Sequence, residues 1–462
     1  MSSLASLAAT AALALAARAE PAPRPKPATL DDVAHGFVRL VLAVGQHRPD
    51  YVDAYFGPKE LKVEADMGGK RPLADLAVEA ARLERSAAAA KTAGAEDRRR
   101  RAFLAAHLSA ARAFVQALQG KRLSFDAEAK AYFGIAPPRR GLARYEKIAE
   151  RIAHLLPGEG TLAERYARYR DRLVVPREKL EAVFQAAARE ARRRTLAHVR
   201  LPEGERFALE LVTGKPWGGY NWYRGGHESL IQVNTDLPFY IDNAVNLAAH
   251  EGYPGHHVFN ALHEQRLAGG KGWVEFTVYP LFSPSSFLAE GTGNFAVEMA
   301  FPGEERTAFE RDVLFPLAGL DPAEAGRYAE IRELLEDLRG AGIEIARAYL
   351  DGKMTAGEVQ AWNVKYGLFT PERARKNVEF MDAYRSYVVN YGYGEELVER
   401  YVEARGGKDR GRRWSAFLEL ISEPALPGDL TGRRPPKTRP RAPRRRRALA
   451  AGAARPRGAR RR

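Results

Sequence analysis

The sequence contains no cysteine among its 462 residues. This absence excludes disulfide bonds, thiolate metal sites and a cysteine nucleophile. Long apolar runs are also missing, because no stretch after the N-terminal leader is apolar enough to cross a bilayer, which takes about 20 apolar residues. With 45% hydrophobic and 28% charged residues, the composition predicts a globular protein with a sizeable core.

The N-terminus predicts a secretory signal. Leu4–Ala17 is an apolar run too short to span a bilayer, and it ends in the small-x-small pattern Ala17-Arg18-Ala19. We therefore expect a signal peptide over residues 1–19, a Pro-rich linker over 20–29, and export to the periplasm or the extracellular space. No Lys or Arg precedes the apolar run, which a mis-assigned start codon would explain. A leader that is merely rich in Ala is the alternative.

Acidic residues are absent from the C-terminal end. The formal net charge is +15, and Arg433–Arg462 alone contributes fourteen Lys and Arg with no Asp or Glu. The remainder of the chain is therefore nearly neutral, which argues against a specific nucleic-acid partner. We expect residues 425–462 to be a disordered basic tail, which can contact anionic lipid, cell-wall polymer or nucleic acid.

The first half of the chain is typical of helices. Apolar residues in Leu30–His47 recur at helical spacing. Leu73–Leu118 predicts two long helices that break near Thr92-Ala93-Gly94. Further helices are expected over Leu142–Leu156, Leu162–Leu173 and Arg177–Val199. Together these segments predict a helical N-terminal lobe over residues 30–200.

The pattern changes near Leu201. Phe207–Val212 and Ser229–Asp236 alternate apolar and polar side chains and predict two strands of a small sheet. Between them, Trp217–Gly226 is rich in Gly and aromatic residues and predicts an exposed loop open to a ligand. Helices resume from Tyr240 to about Ser422. The predicted fold class is mainly α, with a small β-sheet inside a catalytic lobe over residues 201–424.

The histidines provide the most informative motif. Three of the ten lie within eight residues, in His250-Glu251-Gly252-Tyr253-Pro254-Gly255-His256-His257. In the common His-Glu-x-x-His arrangement, two His four residues apart bind one zinc ion from one helical face, and the Glu activates a water molecule. Here the next histidines follow six and seven residues after the first. A straight helix does not bring them to the same metal ion.

Pro254 and Gly255 predict how the chain corrects this spacing. The proline ring clashes with the carbonyl group four residues earlier, which belongs to His250, and glycine adopts backbone angles that other residues avoid. The helix should therefore break at Tyr253–Gly255 and let a later histidine return to the metal. Spacing leaves both His256 and His257 open as the second ligand. Histidines that merely cap a helix end are the alternative.

A carboxylate in an apolar segment is the candidate for the third ligand. Glu290 lies within Leu288–Phe295, and a buried carboxylate is costly unless it is paired or bound to metal. Glu298, two helical turns further on, is the alternative, either as a partner of the site or as an ordinary surface residue. The motifs thus predict a site for one Zn²⁺ ion, with zinc preferred over other divalent metals on ligand type alone.

These residues resemble a large bacterial family of domain-of-unknown-function proteins, family 885. The likeness covers about residues 30–420 and rests on His250-Glu251-x-x-Pro254-Gly255-His256-His257, Glu290-Gly291, Tyr220, Val233-Asn234 and Tyr387–Gly394. The family is grouped with gluzincin metallopeptidases of the thimet-oligopeptidase type. The resemblance implies a mostly helical, two-lobed, metallopeptidase-like fold with a zinc cleft, and peptidase activity.

The resemblance also bears on single residues. Gluzincin motifs place Gly just before the second ligand, which favours His256 and leaves His257 as an alternative ligand or a supporting partner. Tyr220 and Asn234 are expected to contact the substrate. The family's usual Glu-Gly-Trp is Glu290-Gly291-Thr292 here, so the pocket beside the third ligand is expected to have a different shape.

A mechanism follows from these assignments. Glu251 is the predicted general base, which takes a proton from a zinc-activated water and passes it to the leaving amine. A phenol near the metal would stabilise the oxyanion. Tyr391 is the candidate for this role, with Tyr393 and Tyr387 behind it. Ser229–Asp236 is expected to be an edge strand that pairs with an extended peptide substrate.

Three other functions compete with this prediction. One is an amidase of the same clan that acts on cell-wall peptides. Another is a zinc-containing binding protein without catalysis, against which Glu251 argues, because a purely structural site needs no general base. The third is a nucleic-acid binder that depends on the tail, against which the nearly neutral remainder of the chain argues.

Deletion of Arg433–Arg462 should leave folding and hydrolysis nearly unchanged, because a segment without an apolar face contributes little to a core. The melting temperature and the peptide-cleavage rate of the truncated chain would be compared with those of the full-length chain. A clear fall in either quantity would show that the tail has a structural or catalytic role.

Overall fold

The computed structural model describes residues 28–432 except 142, 216, 217 and 237. The predicted signal peptide, most of the linker and the tail from Arg433 onward lie outside the described residues. Helices make up most of the described chain and confirm the mainly helical fold class. In the described ranges, no helix combines the length and the apolar character that a bilayer span requires.

The described residues form nineteen α-helices. They are α1 Leu30–Gly45, α2 Lys59–Gly68, α3 Leu73–Ala89, α4 Ala95–Leu118, α5 Phe125–Phe133, α6 Ala143–Leu155, α7 Leu162–Asp171, α8 Arg177–Leu196, α9 Ile241–Leu247, α10 His256–His263, α11 Pro284–Ala300, α12 Glu304–Phe309, α13 Phe315–Ala318, α14 Glu324–Leu338, α15 Gly340–Leu350, α16 Ala356–Gly367, α17 Pro371–Tyr384, α18 Val389–Gly406 and α19 Arg410–Ser422. Turns of π-helix continue three of them, over Ala248–Gly252, Glu264–Gly269 and Glu310–Leu314. The strands are β1 Val52–Tyr55, β2 Arg206–Val212, β3 Gly219–Gly225, β4 Glu228–Asn234 and β5 Val278–Pro280.

Helix α1 lies at the centre of the N-terminal helices. Its start is fixed by reciprocal hydrogen bonds, because the Asp32 N–H donates to Thr29 Oγ1 at 3.1 Å and the Thr29 N–H donates to the Asp32 carboxylate at 2.9 Å. The predicted apolar stripe, which includes Phe37, is buried against α3 and α4. The predicted break between α3 and α4 is confirmed, and Gly94 directly precedes α4.

The three-stranded sheet corrects two sequence predictions. Its strand order is β2-β4-β3, with β2 parallel and β3 antiparallel to β4. Trp217–Gly226 was expected to be a loop, but most of it is β3, and its Tyr223 side chain is buried. Ser229–Asp236 was expected to be an edge strand, but β4 is the central strand of the sheet. Both of its edges are already paired, so it cannot take up an extended peptide.

A second, two-stranded sheet joins the two halves of the chain. Strand β1, from the predicted N-terminal lobe, pairs antiparallel with β5, which lies in the predicted catalytic lobe. The register shifts between Val52 and Ala54, so Asp53 is the extra residue of a β-bulge. One hydrophobic core contains residues from α1 through α19. Residues of both predicted lobes therefore share one core.

The predicted tail starts too early. Residues Pro427–Thr431 form a turn of 3₁₀-helix, and its Leu430 side chain is buried in the main core next to α18. An apolar residue that packs in this way holds the chain against the fold. The sequence prediction missed it because Pro and Gly surround the single leucine.

A buried ion pair links the N-terminal helices to the segment that leads into β5. Arg100 on α4 donates to both carboxylate oxygens of Glu275, at 2.6 and 3.0 Å, and also donates to Asp31 at 2.6 Å. Glu275 is 1% exposed and Arg100 is 5% exposed. The guanidinium also lies 5.0 Å from the centre of the Trp273 ring. This bidentate geometry compensates the cost of removing both charges from water.

Arg100→Met should lower the free energy of unfolding by about 3–5 kcal/mol, because it leaves the buried Glu275 carboxylate without a partner. The matched control is Arg39→Met, which breaks the exposed pair with Glu64 and should cost about 1 kcal/mol or less. Urea unfolding of both variants would measure the difference. Equal losses of unfolding free energy in the two variants would show that burial does not increase the contribution of the Arg100 pair.

Candidate metal centre

The helix that carries the histidine motif breaks where the sequence predicts. Helix α9 continues into the π-turn Ala248–Gly252, the chain reverses over Tyr253–Gly255, and α10 begins at His256. The Gly255 N–H closes the reversal by donating to the Ala249 carbonyl at 2.9 Å. This finding confirms the break.

Gly255 adopts the unusual backbone angles that the sequence predicts, with φ −77° and ψ −135°. Glycine is also required here for lack of space. A Cβ atom at this position would lie 1.9 Å from the His250 carbonyl oxygen and 2.4 Å from the Ala249 carbonyl oxygen. The chain can reverse this tightly only where there is no side chain.

The reversal brings His256 next to His250 and to Glu290 on α11. The distance from His250 Nε2 to Glu290 Oε2 is 3.6 Å, and the distance from His256 Nε2 to Glu290 Oε1 is 4.0 Å. The two imidazole rings are 4.5 Å apart and nearly perpendicular, at 87°. Gly293 allows α11 to approach, since a Cβ there would lie 3.1–3.2 Å from both rings.

These three side chains fit a bound divalent metal. One ligand atom from each lies within 4.8 Å of the others, so the three donor atoms converge. Glu290 Oε2 is buried and has no hydrogen-bond partner among the described residues. A buried acceptor of this kind, facing an imidazole nitrogen, fits a position beside a cation. Two imidazoles and one carboxylate are also a donor set that zinc accepts.

The pKa shifts of these three side chains without metal also support their assignment as metal ligands. Burial lowers the pKa of His250 to about 4 and lowers the pKa of His256 well below its ordinary value. Both rings are therefore neutral near pH 7, as metal ligation requires. Burial raises the pKa of Glu290 to about 7, against the opposing hydrogen bond from Tyr387.

Two hydrogen bonds hold the candidate ligands in place. Tyr387 donates its hydroxyl proton to Glu290 Oε1 at 3.0 Å. Asn294 hydrogen-bonds to the His250 imidazole and also donates to the Tyr391 carbonyl at 3.2 Å. Partners of this kind fix the orientation of metal ligands. Sequence reasoning missed Asn294, although it lies four residues after Glu290 and thus on the same face of α11.

His257 is not part of this cluster. It is completely buried, with Nε2 2.9 Å from Glu205 Oε2 and Nδ1 2.9 Å from the Ser229 hydroxyl. Glu205 also accepts hydrogen bonds from Tyr253 and Arg192, each at 2.6 Å. The structure therefore separates the histidine pair, with His256 beside Glu290 and His257 joined to the sheet.

Glu251 lies beside His250 and is 7% exposed. Burial, followed by the negative charges of Glu290 and Asp53, raises the pKa of its carboxyl group to about 8. The backbone carbonyl of Glu251 accepts a hydrogen bond of 2.6 Å from Asn221 on β3, which ties this segment to the sheet. A buried carboxylate with a raised pKa next to a metal-binding cluster is suited to proton transfer near neutral pH.

The three candidate tyrosines occupy different surroundings. Tyr391 is 37% exposed, and burial of its hydroxyl in the cleft, with Glu290 and Glu251 nearby, raises its pKa well above the ordinary value. Tyr387 uses its hydroxyl on Glu290. Tyr393 is 9% exposed and packs edge-on against Phe287 in the core. In the described structure, Tyr391 is thus the tyrosine of the three that lies near Glu290 and Glu251 without donating its hydroxyl proton to either.

The other predicted site residues divide into two groups. Tyr220 faces the cleft and donates its hydroxyl proton to Asp53. Asn234, by contrast, uses its side chain on the backbone of the neighbouring loop, donating to the Lys215 carbonyl at 2.8 Å and accepting from the Asp236 N–H at 3.0 Å. Its hydrogen bonds serve the loop and do not reach the histidine cluster.

Glu298, the alternative third ligand, also lies outside the cluster. It accepts a long hydrogen bond of 3.4 Å from the Gly303 N–H at the end of α11 and lies 3.8 Å from Arg413. Two further helical turns carry it away from the imidazoles. Glu290 is the carboxylate of the pair that the fold places beside them.

Asp53 is the cleft residue that sequence reasoning missed. Burial raises its pKa to about 6, against the opposing hydrogen bond from Tyr220. Its charge in turn raises the pKa of both Glu251 and Glu290. An acidic residue within the aromatic segment Tyr51–Phe56 was the available signal, and it is the same criterion that identified Glu290.

Comparisons with known proteins show similarity at the level of structure alone. No family model and no curated protein matches the sequence. A candidate lipoprotein from Colwellia psychrerythraea matches 77% of this chain at 16% identity and a TM-score of 0.51, and the chain spans 65% of the length of that protein. This likeness shows a shared fold.

Two carboxypeptidases are more distant. The M32 carboxypeptidase of Deinococcus radiodurans R1 has 15% identity and a TM-score of 0.39, with coverage of 87% of this chain and 92% of that one. Metallocarboxypeptidase 1 of Trypanosoma cruzi has 15% identity and a TM-score of 0.41, with coverage of 85% and 89%. Neither similarity is close enough to assign an activity to this chain.

Gly255→Ala should abolish metal binding and lower the free energy of unfolding by about 1–3 kcal/mol, because the added Cβ forces two backbone segments apart. The control is Gly326→Ala on α14, where no atom lies within 4 Å of the added Cβ and where alanine should stabilise the helix by about 0.5–1 kcal/mol. Elemental analysis and urea unfolding would be applied to both. Normal zinc content in Gly255→Ala would contradict the proposed role of the reversal.

Proposed function

We propose that this chain is a zinc-dependent peptidase of the family 885 type. The observation that carries the proposal is the convergence of His250, His256 and Glu290, with the buried Glu251 carboxylate next to them. A purely structural site closes all four positions around zinc with protein ligands. Here three candidate ligands converge in a cleft, which leaves a position for water and substrate.

Some of these residues would bind the zinc ion, and others would take part in the reaction. His250, His256 and Glu290 would hold the ion, while Asn294 and Tyr387 orient His250 and Glu290. Zinc, when bound, supplies Lewis-acid chemistry, which lowers the pKa of water and polarises a carbonyl group.

Glu251 would move the proton. Its carboxylate would accept a proton from the attacking water and deliver it to the nitrogen of the departing amine. No Lys or Arg among the described residues forms an ion pair with this carboxyl group, whose pKa is raised first by burial. The raised pKa matches the task of taking and returning one proton near neutral pH.

Tyr391 would act on the oxygen of the attacked carbonyl group. Its hydroxyl lies close enough to Glu290 and Glu251 for their charges to raise its pKa. A neutral phenol can donate a hydrogen bond to an oxygen that becomes negative. Tyr387 is less suited, because its hydroxyl proton is already donated to Glu290.

Ligand and base variants separate the two kinds of role. His250→Ala, His256→Ala and Glu290→Ala should each lose bound zinc and all turnover. Glu251→Gln should keep full zinc occupancy while turnover falls by orders of magnitude, because it preserves the shape and leaves the three ligands in place. Zinc content by elemental analysis and cleavage of a peptide library would be measured on the same preparations.

Two controls accompany these variants. Glu298→Ala removes a carboxylate from the same helix as Glu290 but should keep zinc. His257→Ala should weaken zinc binding by about 10- to 100-fold, as expected for a group that supports a ligand without binding the metal. A folded wild-type protein that binds no divalent metal, or a Glu251→Gln variant with normal turnover, would rule out the proposed function.

A further inference from the structure

Asp53 enters the cleft through an irregularity of the fold. In the β1–β5 pair, Val52 lies opposite Pro280 and Ala54 opposite Tyr279, which leaves Asp53 as the extra residue of the bulge. Bulges turn a side chain away from the regular alternation and are common beside active sites. The strand opposite, β5, leads directly into α11, which carries Glu290. Asp53 is therefore fixed to the same part of the fold as the candidate metal centre.

Strand β3 fixes Asp53 from the other side. Tyr220 on β3 donates to the Asp53 carboxylate, and the next residue, Asn221, donates to the Glu251 carbonyl at 2.6 Å. The end of β1 also packs on β3, since the Phe56 and Tyr223 rings are 5.2 Å apart. Asp53 and Glu251 are thus held by adjacent residues of one strand.

Acidic side chains face the cleft without cationic partners. Asp53, Glu251 and Glu290 face it, and no Lys or Arg among the described residues makes an ion pair with any of the three. The Asp53 carboxylate therefore has no cationic partner among the described residues, and a substrate carboxylate placed there would be repelled.

An aromatic surface adjoins this carboxylate. The rings of Tyr220 and Trp222 are 4.5 Å apart, and Trp222 is 42% exposed. The indole N–H is already donated to Gln232 at 2.8 Å, so the exposed face of the Trp222 ring is what a ligand meets. Aromatic faces beside a carboxylate bind organic cations in preference to anions.

We propose that Asp53, Tyr220 and Trp222 form a subsite that recognises a positively charged group of the peptide substrate, either its terminal ammonium or a basic side chain. The proposal rests on the proposed peptidase function and names the substrate class. Asp53 would accept the charged hydrogen bonds, and the aromatic rings would cover the cation. Both sources share the same chemistry, so the substrate series must distinguish them.

The test uses matched peptides and the variant Asp53→Asn, which keeps an oxygen acceptor for Tyr220 but removes the charge. The first pair is tetraalanine with a free or an acetylated amino terminus. The second is an acetylated tetrapeptide series with lysine or norleucine at each position. The wild type should favour the cationic member of one pair by about 10- to 100-fold in kcat/KM. The first pair reports the terminal ammonium and the second reports the side chain.

In Asp53→Asn this preference should disappear, so that the cationic and neutral members of the pair are cleaved at equal rates, with zinc content unchanged. Glu298→Gln is the matched control. It removes a carboxylate that lies outside the histidine cluster, 3.8 Å from Arg413, and it should retain the full preference. Calorimetric titration of zinc-loaded Glu251→Gln, with and without Asp53→Asn, would show the same preference in binding.

Each outcome has one meaning. A wild type without preference for cationic peptides would overturn the subsite, as would an Asp53→Asn variant that loses activity on cationic and neutral peptides equally. A wild type that cleaves no peptide would instead remove the proposed function. In that case, preferential binding of the cationic peptide to the wild type would still support the subsite, and equal binding would overturn it.

Discussion

The contact between Gly255 and the carbonyl group of His250 is the constraint on which the candidate site depends. Because no side chain separates the two backbone segments, the chain can reverse within three residues and start a new helix at His256. The reversal places His256 beside His250. It also turns the next residue, about 100° further around α10, toward the sheet, where Glu205 and Ser229 hold it. One tight contact therefore produces both a candidate ligand and the anchor that keeps the ligand in position.

Buried carboxylates have arginine partners outside the cleft and lack them inside it. In the helical core, Glu310 accepts from Arg306 and Arg332, each at 2.8 Å, and Glu275 accepts from Arg100. In the cleft, Glu290 and Glu251 have no such partners, and their pKa values are raised accordingly. Elsewhere in the described fold, buried carboxylates are paired with arginines. The unpaired carboxylates of the cleft are therefore suited to a bound cation.

Local sequence patterns predicted much of the fold and most of the metal cluster. The helices, the break before His256 and the position of Glu290 follow from periodicity, from proline and glycine, and from the cost of burying a carboxylate. Spacing could not choose between His256 and His257, because the choice depends on how the chain reverses. The resemblance to family 885 favoured His256, and the structure places that residue beside Glu290.

The sequence did not predict features that depend on contacts between residues far apart in the chain. The segment that forms β3 contains Tyr and Trp, which are common in strands, but its glycines favoured the prediction of a loop. It becomes a strand by pairing with β4. Asp53 reaches the cleft through a bulge that exists only in the pairing with β5. Tyr391 and Tyr393 are two residues apart in sequence, and helix geometry turns one into the cleft and the other into the core.

The pairing of β1 with β5 has a consequence for the order in which the molecule is assembled. Tyr55 pairs with Val278, so this ladder closes a loop that contains helices α2 to α10 and the three-stranded sheet. Closing so long a loop is slow compared with forming local helices. A growing chain acquires His250 and His256 while Glu290, β5 and Tyr391 are still to be synthesised. At that stage the two imidazoles lack the third candidate ligand. The complete candidate centre, with Glu290 and the acidic residues of the cleft, exists only in the finished fold.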